Sequence, residues 1–556
     1  MQLVIVDTAQ IQSYVFGSNR LRENVGGSHL VAMATREWAL EAAREAAPKN
    51  NIKTRSDELD PSVQIDSDPN VQAEVVYTGG GNFVALFRDE NDEAGKFIRR
   101  LSEKVLTDAP GLQLAITQES FDWDNGALAD KMKDTFRKLA QEKRSRTLSA
   151  PLLGLGVSVM CQSTALPAVE MVKGIGEEPD RPASAEIVAK LKVATKTGPR
   201  PSEADERLHR ITPLEDYDYP AQFEHLGGTK GEHSYIAVVH ADGDGMGSRI
   251  TKIGEKYPKQ KENRDFINAI REFSIAVEKA AQAALQVTLD KLTARIERDN
   301  GRKVMVHRNE GRVLARIELC WDDKGHKWRL PFRPIVFGGD DLTFVCDGRL
   351  GLSLATEYMR QFTDKTKDLP DKRGSLTASA GIAIVKSHYP FARAYSLAED
   401  LSRSAKGYRK KIDQSVACLD WHFARSGLSG EVKEIRKREY KATWSKNGNQ
   451  VEGSLTLCPL TLEENKVEAQ RSWNVVHNAI DVFQSQGWSE RRNKLKTLRD
   501  ALRGGPAEAD WFLKKFGLAG KLPELKHYPQ FAQTGWWDRW CGYFDATELS
   551  DWFVPL

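Results

Sequence analysis

Three aspartates, Asp242, Asp340 and Asp341, have the type and spacing that support chemistry. Asp242 closes an apolar run, Tyr235-Ile-Ala-Val-Val-His240, after one alanine. Asp340 and Asp341 sit in Gly338-Gly339-Asp340-Asp341, between Pro334-Ile-Val-Phe337 and Leu342-Thr-Phe-Val-Cys346. If those apolar runs pair as neighbouring strands, their ends bring the three carboxylates to one point. Clustered carboxylates repel one another and call for a cation. Carboxylates on adjacent strand ends are a common way to hold two divalent ions ~4 Å apart for phosphoryl transfer. Ligands that are all oxygen favour magnesium or manganese over zinc. Successive residues point to different sides, so one aspartate can face the ion at Asp242 while its neighbour reaches a second ion or an attacking hydroxyl.

The glycines around them have a separate use. In Asp242-Gly243-Asp244-Gly245-Met246-Gly247, the three glycines leave backbone N–H groups bare where the next segment starts, a place that can cradle a triphosphate, and Asp244 among them is expected to be a nucleotide-binding residue. Gly338 and Gly339 let the hairpin turn approach a nucleotide without a Cβ clash. Lys406, near the end of a helix after the strand at 376–385, is within reach of a β- or γ-phosphate. Each piece alone has a plainer reading: a polar loop, an ordinary hairpin, a solvated lysine. The ordered set is what points to a metal-dependent reaction on a nucleoside triphosphate.

The elements that must position these residues follow from periodicity and turn signals. A strand at 3–6, a helix at 30–47, strands at 73–77 and 83–87 joined by Thr78-Gly79-Gly80-Gly81-Asn82, a helix at 92–106 and a strand at 112–118 give the order β-α-β-β-α-β of a ferredoxin-like fold. A polar stretch, 173–231, reads as a linker around a short helix at 184–195. The same order then recurs: strand 235–240, helix 265–298, the Gly338–Asp341 hairpin, helix 352–363, strand 376–385, helix 391–411. The Gly-Gly turn falls at the same place in both halves, which marks an internal duplication. Beyond Trp421 the pattern changes: a strand is expected at 455–460, then helices carrying Trp473, Trp488, Trp511, Trp536, Trp537, Trp540 and Trp552. That spacing reads as core packing rather than a base-stacking surface.

The 556 residues suggest three or four domains. With 40% hydrophobic and 29% charged residues and a net charge of +3, the composition is that of an ordinary globular protein. No apolar run approaches the ~20 residues of a membrane span. The N-terminus lacks the basic start and cleavage site of a signal peptide. A cytoplasmic protein without a membrane partner is therefore expected. Six scattered cysteines, with no Cys-x-x-Cys pair, read as reduced thiols and leave neither a disulfide framework nor a zinc ribbon.

Gly338-Gly339-Asp340-Asp341, with Ser379-Ala-Gly-Ile-Ala383 and Ser404-Ala405-Lys406 downstream, resembles the palm shared by GGDEF diguanylate cyclases and the large subunit of type III CRISPR effector complexes. The second is the closer match. His240-Ala-Asp242-Gly-Asp244-Gly-Met246-Gly247 is similar to its catalytic strand. Ile11-Gln-Ser-Tyr-Val-Phe16, Gly26-Gly27-Ser28 and Tyr77-Thr-Gly79-Gly80-Gly81-Asn82 look like its first, non-catalytic palm. The resemblance implies an α+β chain: two ferredoxin-like palms facing each other and a helical C-terminal domain. The expected boundaries are 1–155, 156–230, 231–422 and 423–556.

In that family each palm binds an ATP, and the second palm joins them 3′ to 5′ into cyclic oligoadenylates. The resemblance thus implies that Asp242, Asp340 and Asp341 hold two magnesium or manganese ions and that Lys406 contacts phosphate. Ser28, Gly80, Gly81 and Asn82 would border the acceptor ATP. It also implies partners: other effector subunits with guide and target RNA. Two departures are expected, namely no nuclease domain ahead of the first palm and no zinc-binding insert, since 160–168 keeps only Cys161. Two other readings stay open, a vestigial scaffold that docks RNA and small subunits, and a dinucleotide cyclase using GTP. The basic stretches Arg436–Lys441 and Arg491–Lys496 either track RNA phosphates or are solvated helix faces.

Overall fold

The computed structural model describes residues 1–53, 56–88, 90–145, 156–174, 178–196, 200–227, 235–323, 325–424, 430–525 and 528–556. The first unit begins with β1 (Gln2–Ala9), followed by α1 (Ile11–Phe16), α2 (Leu21–Ala32) and α3 (Trp38–Ala46). Then come β2 (Ala73–Gly79), β3 (Asn82–Phe87), α4 (Glu93–Asp108), β4 (Gln113–Ser120) and α5 (Leu128–Ser145). The sheet order is β2-β3-β1-β4, all antiparallel, which is the ferredoxin-like arrangement. Alternate residues of β1 divide between two cores, as a period of two requires. Leu3 and Ile5 pack into one, Val4 and Val6 into the other, and all four are fully buried.

One helix differs from the sequence expectation. Gly26-Gly27-Ser28, ahead of the helix expected at 30–47, lies inside α2. A Cβ on Gly26 would stand 2.1 Å from the carbonyl oxygen of Lys190. Glycine is needed here because α2 packs directly on a helix of the connecting segment.

That segment holds a small hairpin, β5 (Glu170–Val172) with β6 (Arg181–Ala183), then α6 (Ala185–Ala194), α7 (Glu203–Ile211) and β7 (Tyr217–Asp218). The boundaries expected at 155 and 230 lie outside the described residues. Cys161 sits in a tight turn, its N–H donating to Leu166 O, and packs on Ala183 and Ile187 of this segment.

The second unit repeats the first. β8 (Tyr235–Gly243) leads to α8 (Met246–Gly254) and the 32-residue α9 (Asn263–Ala294). An antiparallel excursion follows: β9 (Ile296–Asp299), β10 (Arg302–Asn309), β11 (Arg312–Glu318), β12 (Cys320–Asp322) and β13 (Lys327–Arg329). The chain then returns with β14 (Phe332–Gly338), β15 (Asp341–Asp347), α10 (Gly351–Lys365), β16 (Ala378–Lys386), α11 (Phe391–Ile412) and β17 (Cys418–Phe423). The sheet order β14-β15-β8-β16 reproduces β2-β3-β1-β4, and β17 extends its edge.

The C-terminal region begins with α12 (Val432–Glu439), β18 (Lys441–Lys446) and β19 (Asn449–Ser454), and β20 (Leu460–Thr461) adds to the second sheet. The helices are α13 (Trp473–Gln484), α14 (Gln486–Ser489), α15 (Arg492–Arg503), α16 (Pro506–Lys515) and α17 (Phe531–Thr534), with β21 (Trp536–Trp537), β22 (Trp540–Cys541) and α18 (Phe544–Leu549) at the end. The region is helical as expected but also carries a small sheet, β18-β19-β22-β21. The strand expected at 455–460 shrinks to its last residue. The three-stranded excursion β9–β11 was not anticipated either. Three of these added hairpins, β9–β10, β10–β11 and β18–β19, turn at positive-φ pairs, Asn300-Gly301, Glu310-Gly311 and Asn447-Gly448, the geometry that suits tight antiparallel connections. Trp473, Trp488 and Trp536 are buried, as core packing predicts, whereas Trp511 is 58% exposed. Among the described residues, no helix is long and apolar enough to cross a membrane.

Candidate functional site

The second sheet brings its carboxylates together at one end of paired strands. Asp341 is the direct cross-strand partner of Asp242, and the hairpin β14–β15 closes on Gly339 and Asp340. Gly339 has φ +62°, a left-handed conformation that suits glycine. Gly243 lies against Asp340: a Cβ there would be 2.5 Å from the Asp340 Cβ, and its N–H donates to Asp340 O at 3.1 Å. The three aspartates therefore share one corner of the sheet.

The corner carries surplus negative charge. Burial first, then the Asp242 charge, raises both the Asp340 and the Asp341 carboxyls to about 7. The Asp341 side chain is 43% exposed to the cleft, so water tempers its shift. Lys406 of α11 donates to Asp242 Oδ2 and is the cation that offsets this cluster. Asp341 Oδ1 accepts no hydrogen bond, and His240 Nδ1 stands 3.5 Å from it while lying 3.0 Å from Thr343 Oγ1. Among the described residues no group of three or more His, Cys, Asp or Glu forms a ready-made metal cage. The donor set is nonetheless what a hard divalent ion needs: carboxylate oxygens in excess of cations, one of them unpartnered.

Asp244 departs from the sequence expectation. It does not face the cleft; it is buried, accepting from Thr377 Oγ1 and Ser379 Oγ at 2.9 Å each, with Arg409 Nε 3.3 Å away. Burial raises its pKa. Arg409 stands three residues after Lys406 on α11, so Asp244 anchors the helix that delivers Lys406 to Asp242. Gly245 (φ +78°) caps α8, and neither Gly245 nor Gly247 has any atom near the position of a missing Cβ. The backbone there is open, as a phosphate cradle requires.

The first unit supplies the facing wall. A Cβ on Gly339 would lie 3.5 Å from the Gly80 Cα, so the two hairpin turns meet tip to tip. Gly80 and Gly81 both have positive φ. Between the turns lies a cavity of about 200 Å³, bordered by Ser28, Gly80, Gly81, Gly338, Asp340 and Asp341. Gly339 lines it too. Asn82 does not border this cavity; its side-chain amide donates back to Gly80 O at 3.1 Å. Lys406 stands outside the cavity, on the Asp242 side.

The two units are locked face to face. Phe16 stacks on Tyr395 with ring centroids 3.7 Å apart, Gln12 Nε2 donates to Glu399 at 2.8 Å, and Arg36 donates to Glu278 of α9 at 2.6 Å. Glu74, fully buried, takes hydrogen bonds from both Arg264 and Arg271 of α9. A buried carboxylate so paired costs several kcal/mol to unmask, which holds α9 against β2.

Two functional-looking residues were missed by the sequence reading. The register that sets Val6 opposite Phe83 brings Asp7 to the Asn82 end of the first hairpin, the place Asp242 holds in the second unit. Lys143 of α5 donates to Asp7 Oδ2 at 2.6 Å, as Lys406 of α11 does to Asp242. The duplication thus extends to a lysine–aspartate pair. The signal was present in the sequence as an apolar strand ending in aspartate in both halves. The other unforeseen wall is α9, whose Ser274, Glu278 and Gln282, one helical turn apart, line the cavity.

Residues 235–414 match the family profile described as Cas10/Cmr2, second palm domain. Among solved structures, the chain resembles a Csm1–Csm4 cassette in complex with cA4, at 12% identity over 99% of this chain and 70% of that one, with a TM-score of 0.51. It also resembles a Csm1–Csm4 cassette in complex with pppApApA (13% identity, 99% and 69% coverage, TM-score 0.52). A third is Csm1 of T. onnurineus (14% identity, 100% and 70% coverage, TM-score 0.50). Identities this low show a shared fold. No curated protein matches the chain. Residues 235–414 are therefore similar to a Cas10/Cmr2 second palm domain, within a chain whose fold is like that of Csm1.

Proposed function

We propose that the chain is a nucleotidyl cyclase that converts ATP into cyclic oligoadenylate-type products by 3′–5′ phosphodiester formation, within a type III CRISPR effector or a related defence system. The observation that carries this reading is the Asp242–Asp340–Asp341 corner facing the Gly80–Gly81 turn across a shared cavity. The solved structures of similar fold that hold cA4 or pppApApA support the same substrate class. Their pairing with Csm4 supports a partner subunit of that kind.

Each role follows from placement. Asp242, Asp340 and Asp341 would hold magnesium or manganese, and such ions neutralise the triphosphate and favour ionisation of the attacking hydroxyl. Gly243, Gly245 and Gly247 leave N–H groups for the donor triphosphate, and Lys406 exchanges its bond to Asp242 for a phosphate oxygen. The acceptor nucleotide lies along Ser28, Gly80 and Gly81, with the Asp7–Lys143 pair beside its turn. Its 3′-oxygen attacks the donor α-phosphorus, the bond to the β-phosphate bridging oxygen breaks, and pyrophosphate leaves. The 3′-hydroxyl proton, its loss favoured by such an ion, passes to solvent or to Asp340, which lies in the turn that meets the first unit. The first unit has Gly81 and Asn82 where the second has Asp340 and Asp341, so it holds a nucleotide without assembling the same acidic corner.

The test is incubation of the purified chain with each labelled nucleoside triphosphate and magnesium, with products resolved by chromatography and mass. An Asp340→Ala/Asp341→Ala double variant is run beside it. Cyclic adenylates from the wild type alone support the reading. No product from any triphosphate, with partner subunits and target RNA present, overturns it.

A further inference from the structure

The C-terminal helices α15 and α16 carry a surface that the reading above does not use. From the start of α15 to the end of α16 (492–515) there are seven Lys or Arg and three Asp or Glu, a net charge of +4. The whole chain carries only +3. The net charge of this short segment thus exceeds that of the entire protein.

The surface pairs those cations with exposed aromatic rings. Trp511 is 58% and Phe516 39% exposed, whereas the neighbouring Phe512, Leu513 and Leu518 are buried. The core of this bundle is therefore already filled without the two exposed rings. Lys515 Nζ lies 4.3 Å from the Trp511 ring centroid and 5.8 Å from that of Phe516, and Lys494 Nζ reaches the Phe516 ring from α15 at 5.8 Å. Both rings thus lie within 6 Å of one ammonium. Among the described residues neither Lys494 nor Lys515 has a carboxylate within 4.0 Å, although Lys514 beside them pairs with Asp510.

We propose that this face binds single-stranded polynucleotide, with Lys494 and Lys515 on phosphates and Trp511 and Phe516 stacking on successive bases. Unpaired ammoniums interleaved with open rings match a chain of alternating phosphates and flat bases. An acidic protein segment would match the charge but leaves the two rings without a partner. A phosphate that draws the Lys515 ammonium away also uncovers the indole face for a base. The four residues invoked offer only ammoniums and ring faces, which suit any single strand, so RNA and DNA single strands bind alike and duplex binds weakly. This inference stands independently of the cyclase reading.

The test is fluorescence anisotropy of the full chain with labelled oligouridine and oligothymidine of about 15 nucleotides, repeated over a range of salt. Lys494→Glu/Lys515→Glu should weaken binding at least about tenfold and lower the salt slope by roughly 1.4, the value for two single-strand phosphate contacts. Trp511→Ala should weaken it about fivefold or more and leave the salt slope unchanged. Trp511 and both lysines are at the surface, and unaltered melting temperatures exclude unfolding as the cause. Photo-crosslinking of a thiouridine-containing strand should map to 511–516. Undiminished binding in these variants, a crosslink elsewhere, or a preference for an acidic peptide over the oligonucleotides overturns the proposal.

Discussion

Replacing Asp340 by asparagine should stabilise the metal-free protein above neutral pH. The Asp340 carboxyl titrates at about 7 in place of 3.8, raised by burial and then by the Asp242 charge. An acid whose folded pKa is raised holds its proton more tightly when folded. Its contribution to stability is therefore fully present below about pH 4 and is lost as the pH climbs to about 7. A shift of that size corresponds to roughly 4 kcal/mol unscreened. The corner opens onto a cleft and its neighbour Asp341 is 43% exposed. Screening by solvent leaves about 1–2 kcal/mol to be recovered. For a cooperative unit the size of one palm this amounts to a rise of roughly 2–8 °C in Tm. Thermal melts in chelator at about pH 8 should show Asp340→Asn above the wild type, and melts near pH 4 should show no difference. Added magnesium should raise the wild type and close the gap. A variant that melts at or below the wild type at about pH 8, or that gains equally at both pH values, refutes the charge-strain argument.

Asp244→Ala should cost about 3 kcal/mol, because it strips a buried carboxylate from Arg409, Thr377 and Ser379; chemical denaturation measures it. Gly339→Val should destabilise by roughly 1–2 kcal/mol through its left-handed φ, whereas Gly338→Ala, with open space at its Cβ and no such φ, should melt like the wild type. Lys143→Ala should weaken a non-hydrolysable ATP analogue at one of two sites by about tenfold, the loss of one charge-assisted hydrogen bond. Calorimetric titration would then show one tight and one weak site. Two unaffected sites would remove Lys143 from nucleotide binding.

The duplicated core was legible because its signals are local and repeat: apolar strands of period two, Gly-Gly turns, and aspartate at two strand ends. Such runs place the Gly338–Asp341 turn beside the end of the Asp242 strand, whereas the register that sets Asp341 opposite Asp242 is seen only in the folded sheet. What escaped was of two kinds. Some turns were readable but passed over, as with Asn300-Gly301 and Asn447-Gly448, since their strands are short and polar and lack a clear apolar face. Other features depend on packing across long separations. Gly26 has to be glycine inside its helix because the Lys190 backbone lies against it, 164 residues away in sequence. Asp244 looks like a ligand in its motif, yet Thr377, Ser379 and Arg409 turn it inward. Nothing within residues 242–247 reveals those partners.

The repeat also explains why an asymmetric pair is the arrangement to expect. Both units keep an aspartate at the end of the first strand and a lysine on the helix that follows the last strand of the repeat, Asp7 with Lys143 and Asp242 with Lys406. Only the second adds two aspartates in its hairpin. The hairpin tips touch, with a Gly339 Cβ position 3.5 Å from Gly80. Two more aspartates at Gly81 and Asn82 would place further carboxylates at a point where Asp340 and Asp341 already titrate near 7. Like charges that close cannot all ionise at neutral pH. Glycine and asparagine in the first turn leave the cavity open and the charge confined to one wall; under the proposed function, the facing unit would then present a nucleotide to the acidic corner without competing for cations there.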